Sequence, residues 1–122
     1  MKGKQVAYAS VADLLGKAPK EKDISVGGMS MKIKAIGAKE YDDLVAAHPP
    51  TAKQKKDGSS FNIDTFAPAL LARCLVQPAV SEEEAEQLYG SPSWSAGEMG
   101  GLYVSCMRLC TEGLDVPTSA DD

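Results

Sequence analysis

The sequence contains one histidine, three cysteines and few aromatic residues, which make up 6% of the chain. No apolar run reaches the roughly 20 residues of a membrane-spanning helix, and the first residues do not form the apolar segment of a secretory signal. Three cysteines without clustered spacing do not suit a disulfide framework. We therefore expect free thiols, no membrane association and a cytoplasmic location.

Motifs of common catalytic and nucleotide-binding sites are also missing. The sequence has no G-x-S-x-G, H-E-x-x-H, P-loop or G-x-G-x-x-G pattern. His48 follows Asp42 and Asp43, but the adjacent Pro49 and Pro50 favour a residue at a helix end over a general base. We predict that the protein is not an enzyme and has neither a catalytic residue nor a cofactor.

Acidic residues outnumber basic ones by 17 to 13, and the formal net charge is -4. Such a chain has no global positive field to attract phosphate backbones, so we predict no nucleic-acid partner. The one basic run, KQKK at residues 53–56, has no interleaved aromatic residues for base stacking. It lies in a polar stretch that cannot bury enough surface to offset its ordering entropy, and we predict a mobile loop over residues 49–60.

The remaining composition, with 43% hydrophobic and 25% charged residues in 122, is typical of one globular domain. Gly27 and Gly28 follow a short apolar stretch and precede an alternating one, a pattern that predicts a β-hairpin. The inward residues after the turn are Met29, Met31, Ile33 and Ala35. A short helix is predicted after Ser10, and a longer one after the hairpin. The longer helix would place on one face Tyr41, Leu44, Val45 and His48.

The C-terminal half predicts a helical unit of about three helices. Thr65 is the expected N-cap of the first helix, with Pro68 in its first turn, and the apolar residues that continue to Val76 indicate burial. Gln77 and Pro78 then end this helix.

Two capping boxes predict where the next helices begin. Ser81 pairs with Glu84 in the first box, and Ser95 pairs with Glu98 in the second. The last helix carries an apolar stripe and is expected to end at Gly113. The stripe consists of Met99, Leu102, Tyr103, Cys106, Leu109 and Cys110.

These elements together predict an α+β fold, with an N-terminal β-hairpin and helix followed by the mainly helical C-terminal unit. Residues 1–113 are expected to form a single domain, and residues 114–122 a disordered acidic tail.

The cysteines raise the question of a metal site. Cys106 and Cys110 lie one helical turn apart, but a tetrahedral zinc site would also need Cys74 and His48, the only other thiol and the only imidazole. We favour small apolar core residues over ligands, and predict no metal.

Binding to another protein is the remaining class of function. Trp94 is placed to staple the last helix through Met99, and Trp and Tyr dominate interfaces when they are accessible. The stripe of the last helix is either part of the core or the lining of a groove. The candidate partner-binding residues are Trp94, Met99, Leu102 and Tyr103.

Residues 66–110, which include the segments SEEEAE and WSAGE between two apolar helices, resemble the core of tail assembly chaperones from long-tailed bacteriophages of actinobacteria. The segment MKIKAI and the following EYDDL, within residues 31–45, are also similar to that family. The resemblance covers roughly two-thirds of the chain and rests on residues that determine the fold.

The resemblance implies a chaperone that binds the tape measure protein and keeps it soluble in the host cytoplasm during tail assembly. Such proteins are usually absent from the mature virion. Many are also made in a longer, frameshifted form that contacts the tail tube protein, and we expect this chain to form a homo-oligomer. The alternatives are a structural tail completion or connector protein of the virion, and a small regulatory adaptor.

Overall fold

A computed structural model of the protein describes residues 7–112, which contain six helices and a three-stranded sheet. The elements are α1 (Val11–Leu15), β1 (Glu21–Val26), β2 (Met29–Lys34), α2 (Ala38–Ala46), α3 (Ala52–Lys56), α4 (Ile63–Cys74), β3 (Leu75–Gln77), α5 (Glu82–Tyr89) and α6 (Ala96–Thr111). The predicted α+β fold is confirmed, with the hairpin first and the helical unit last. Gly113 and the acidic tail lie outside the described residues.

The hairpin forms as predicted. Strands β1 and β2 are antiparallel, with Ile24 opposite Met31 and Val26 opposite Met29. Gly27 and Gly28 connect them with φ angles of 62° and 78°, which glycine adopts without steric cost and which suit the twist of a two-residue turn.

Helix α6 covers one face of this sheet. Met31 and Ile33 are buried beneath the helices, whereas Lys34 on the opposite face is exposed. On that outer face Lys32 Nζ lies 3.0 Å from a carboxylate oxygen of Asp23. Successive side chains of β2 therefore point alternately into the core and towards solvent, as expected for a strand.

Helix α4 is the central helix and packs against α2, α5 and α6. Phe66, Leu70 and Leu71 have no exposed surface. Capping boxes at Ser81 and Ser95 begin α5 and α6 at the predicted positions. The predicted burial of α4 is confirmed.

The start of α4 differs from the prediction. Asn62 rather than Thr65 is the N-cap, because its side-chain oxygen accepts a hydrogen bond from the backbone N–H of Asp64 at 3.1 Å. The hydroxyl of Thr65 instead pairs with the His48 ring at 2.8 Å. Pro68 consequently lies past the first turn, where its missing N–H leaves the Asp64 carbonyl without its usual helical donor.

The end of α4 also differs, because residues expected to be helical form a strand. Leu75 has an extended backbone, with φ of -71° and ψ of 123°, and β3 pairs antiparallel with β2. The residue before a proline is biased towards extended conformations, and the β-branched Val76 suits a strand. Pairing with β2 therefore outweighs the helical apolar pattern.

A short helix, α3, lies inside the segment predicted as a mobile loop over residues 49–60. Thr51 and Gln54 form a reciprocal capping box, which satisfies two backbone N–H groups without any buried side chain. The Gln54 amide also donates to the Asn62 side chain at 3.0 Å, next to the start of α4. Prediction of a loop here overlooked local capping, which does not depend on apolar burial.

We predict that Gly27→Ala lowers the free energy of unfolding by about 1–2 kcal/mol, because alanine pays the cost of a left-handed backbone. An added Cβ would also lie 3.2 Å from Glu98 Oε2, in a side chain that already caps α6. Gly28→Ala is the matched control, because its φ is also positive but its Cβ would meet no atom within 4 Å. Urea unfolding should show the larger loss for Gly27→Ala; equal losses would contradict the proposed contact between the turn and α6.

Candidate partner-binding groove

An open apolar groove of about 610 Å³ lies between the hairpin end of the sheet, β3 and α5. Its apolar lining consists of Met29, Met31, Leu75, Pro78, Val80, Leu88 and Trp94. Its polar lining consists of Ser30, Glu84, Gln87 and Ser91. We call this surface the apolar groove.

Each wall of the apolar groove follows from local structure. Met29 shares the inward face of β2 with Met31, but it lies at the turn and is 58% exposed. In α5, Glu84, Gln87 and Leu88 lie at helical spacings of three and four, so they face the groove together. The wall formed by β3 supplies Leu75, whose side chain is buried.

Trp94 separates the apolar groove from a second cavity of about 350 Å³. This smaller cavity lies at the start of α6, and its lining consists of Ile63, Tyr89, Trp94, Ser95, Ala96, Met99, Gly100 and Tyr103. The Trp94 ring also approaches the hairpin turn, where a Cβ built on Gly27 would lie 3.7 Å from its Cζ3. The partly exposed indole therefore lines both cavities and lies close to the hairpin turn.

The four candidate residues predicted from the sequence have different positions. Trp94 lines both cavities, whereas Met99 and Tyr103 are buried and line only the smaller one. Leu102 is 0% exposed, so the prediction that it contacts a partner does not fit this fold. Helix α6 packs against α4 and the sheet, and Leu102 lies on the side that is buried there.

The hydroxyl of Tyr103 is buried without a hydrogen-bond partner among residues 7–112. Burial, the largest cause, raises the pKa of this phenol to about 12. An unpaired buried hydroxyl costs free energy that a phenylalanine at the same position would not. Tyr103 therefore brings a buried hydroxyl without a hydrogen bond to the lining of the smaller cavity.

The three thiols lie close together in the core. The Sγ atoms of Cys74 and Cys110 are 3.7 Å apart, and all three cysteines are free. The pKa of Cys74 is raised to about 12, first by its hydrogen bond with Cys106 and then by burial. The pKa of Cys110 is raised as well, first by its hydrogen bond with Cys74. Thiols held neutral in this way are poor nucleophiles and poor metal ligands at neutral pH.

The structure does not gather the set of ligands considered for zinc. Within residues 7–112, no group of three or more His, Cys, Asp or Glu side chains is arranged to hold a metal ion. His48 instead pairs with Thr65 through Nδ1 and packs edge-on against Phe66 with ring centroids 6.3 Å apart.

Sequence reasoning missed most of the apolar groove. Alternation predicts an inward Met29, and the apolar run to Val76 predicts a helical Leu75, so no pattern places either residue beside Leu88. A usable signal was the cluster of apolar residues on both sides of Gln77 and Pro78, which a strand at that position brings next to β2.

Comparisons with known proteins identify no relative. No protein-family model matches the chain, and no curated protein or solved structure gives a significant match. Of the helices within the described range, none has the length and apolar character to cross a bilayer.

We expect Tyr103→Phe to raise the free energy of unfolding by about 1 kcal/mol, because it removes an unpaired buried hydroxyl while keeping the ring. Tyr89→Phe serves as the control, since Tyr89 is only partly buried and its change should be near zero. Chemical denaturation of both variants checks this. A clear destabilisation by Tyr103→Phe would mean that the hydroxyl is satisfied after all.

Stability should also decline at alkaline pH. The Cys74 pKa rises on folding from 9.0 to about 12, so folding favours the neutral thiol. Its contribution is fully present below pH 9 and is lost as the pH rises towards 12. Urea unfolding between these pH values should show a weaker pH dependence in Cys74→Ala than in the unmodified protein. An identical pH dependence would exclude this thiol as a cause.

Proposed function

We propose that this protein is a chaperone that holds an apolar helical segment of another protein in the apolar groove. The observation that carries the proposal is an exposed nonpolar groove of about 610 Å³. It lies between β2, β3 and α5 and is not formed by a chain end. Burial of such surface by a partner is favourable, because it removes nonpolar area from water.

The shape and lining of the groove suit an amphipathic helix. Met29, Leu88 and Trp94 present side chains from three different elements, and helix-in-groove recognition uses such pockets for residues spaced i, i+3, i+4 and i+7. Methionine adapts to partners of varied shape because its side chain is unbranched and polarizable. We therefore expect the groove to accept different helices that share an apolar stripe, and not only one particular sequence.

Charge at the rim favours a client with basic residues beside its apolar stripe. Glu84 lines the groove, and the same helix carries Glu82, Glu83 and Glu86 on its exposed surface. Exposed acidic groups also keep the complex in solution, because the protein keeps its net charge of -4.

The sequence resemblance supports a specific client, the tape measure protein of a long-tailed phage. In this proposal the chain binds that client in the host cytoplasm, keeps it soluble until the tail tube polymerises, and is absent from the finished virion. A frameshifted longer form would add contact with the tail tube protein.

The test is co-expression with the tape measure protein, followed by fractionation and pull-down. The chain should increase the soluble client, and Met29→Glu should reduce the recovered complex by about tenfold, because it places a charge in the groove. Met29 is 58% exposed, so this change spares the core.

Lys34→Glu is the matched control, because it adds negative charge on the outer face of the same strand. It should leave recovery of the complex unchanged. A client that is equally soluble without this chain would overturn the proposal. Detection of the chain in purified virions by mass spectrometry would instead support a structural tail component.

A further inference from the structure

Helix α1 and the residues just before it carry apolar side chains that are largely exposed. Tyr8, Val11, Leu14 and Leu15 are 89%, 70%, 67% and 83% exposed. The helix is nevertheless fully capped, because Ser10 and Asp13 form a reciprocal capping box. A helical turn with an apolar face that covers nothing is suited to docking elsewhere.

The segment after α1 is fixed at the end of the hairpin opposite the turn. Lys20 accepts a hydrogen bond at its carbonyl from the Ala35 N–H at 2.8 Å, and its ammonium donates to the Glu112 carbonyl at 2.6 Å. Residues 17–20 line a cavity with Ile36 and Cys110 at this same end. Helix α1 is thus tethered beside Glu21 and Lys34, which pair at the first position of the hairpin.

This tether keeps α1 away from the apolar groove of its own chain. The groove lies at the Met29 end of β2, about 17 Å from the Lys34 end for a strand of this length, and it extends further across β3. Between Leu15 and Lys17 the chain spans at most about 7 Å. Docking of α1 in its own groove would therefore require residues 17–20 to leave their contacts.

Helix α1 and the apolar groove are complementary. Val11, Leu14 and Leu15 lie at i, i+3 and i+4, the spacing of helix-in-groove anchors. Charges match as well, because residues 1–17 carry Lys2, Lys4 and Lys17 against one acidic residue, Asp13. The groove wall formed by α5 has the opposite sign, with Glu82, Glu83, Glu84 and Glu86.

We propose that α1 of one copy docks in the apolar groove of a second copy, with its leucines against Met29, Leu88 and Trp94. A contact made by one short segment is smaller than a standard protein interface, so we expect a dissociable assembly with a Kd of roughly 10–100 µM. Self-association does not depend on the proposed chaperone role. If that role holds, α1 occupies the client site, and client and self-association compete.

Analytical ultracentrifugation of the full chain over a range of concentrations tests the proposal. The unmodified protein should associate as its concentration rises, and the double variant Leu14→Ser, Leu15→Ser should associate at least tenfold more weakly. Met29→Glu should do the same from the groove side, whereas Ala12→Ser and Lys34→Glu should not. Because no α1 residue is buried, thermal unfolding of the double leucine variant should match that of the unmodified protein.

Mixing the two defective proteins separates this arrangement from others. The leucine variant keeps an intact groove and Met29→Glu keeps an intact α1, so an equimolar mixture should form a heterocomplex although neither protein associates alone. A monomer at all concentrations, or a mixture without a heterocomplex, would overturn the proposal. Client recovery by the leucine variant is read separately: because this variant keeps an intact groove, failure to recover the client would count only against the chaperone role.

Discussion

Phe66 is buried where the helical layers meet, and four rings surround it. Tyr41, His48, Phe61 and Tyr103 approach it with centroid distances between 4.6 and 6.4 Å. These residues come from α2, the segments that flank α3, and α6, so a single side chain of α4 contacts two other helices and both of these segments. Edge-to-face pairs of this kind add specificity to the nonpolar area that they bury.

This aromatic core determines which surfaces remain for binding. Because Tyr103 packs on Phe66, the middle of α6 faces inward, and Met99, Leu102 and Cys106 are buried with it. Nonpolar surface stays exposed at the apolar groove, because β3 is short and α5 does not cover Met29. The proposed binding surface is the part of the sheet edge that the helices leave uncovered.

Local chemistry made much of the fold predictable. The Gly27–Gly28 turn and the capping boxes at Ser81 and Ser95 are contained in a few consecutive residues, and each forms where the sequence indicates. The cap at Asn62 was missed because Thr65 was an equally acceptable cap, and its hydroxyl is instead taken by His48 from across the fold. Strand β3 depends on a partner more than 40 residues away in β2, which helical periodicity does not reveal.

The candidate site was predictable to a smaller degree for the same reason. Trp94, a candidate from the sequence, lines the apolar groove. An apolar stripe has the same period whether it faces a core or a groove, so the pattern could not show that Leu102 is buried. Met29 and Leu88 line the same groove from β2 and α5, so periodicity within either segment could not join them.

Glu98 links two elements that are far apart in the chain. One carboxylate oxygen accepts the Ser95 N–H at 3.0 Å, and the other lies against the hairpin tip at Gly27. Local opening of the hairpin would therefore disturb the first turn of α6, and fraying of that turn would loosen the hairpin. We therefore expect the hairpin turn and the first turn of α6 to open together, as one cooperative unit.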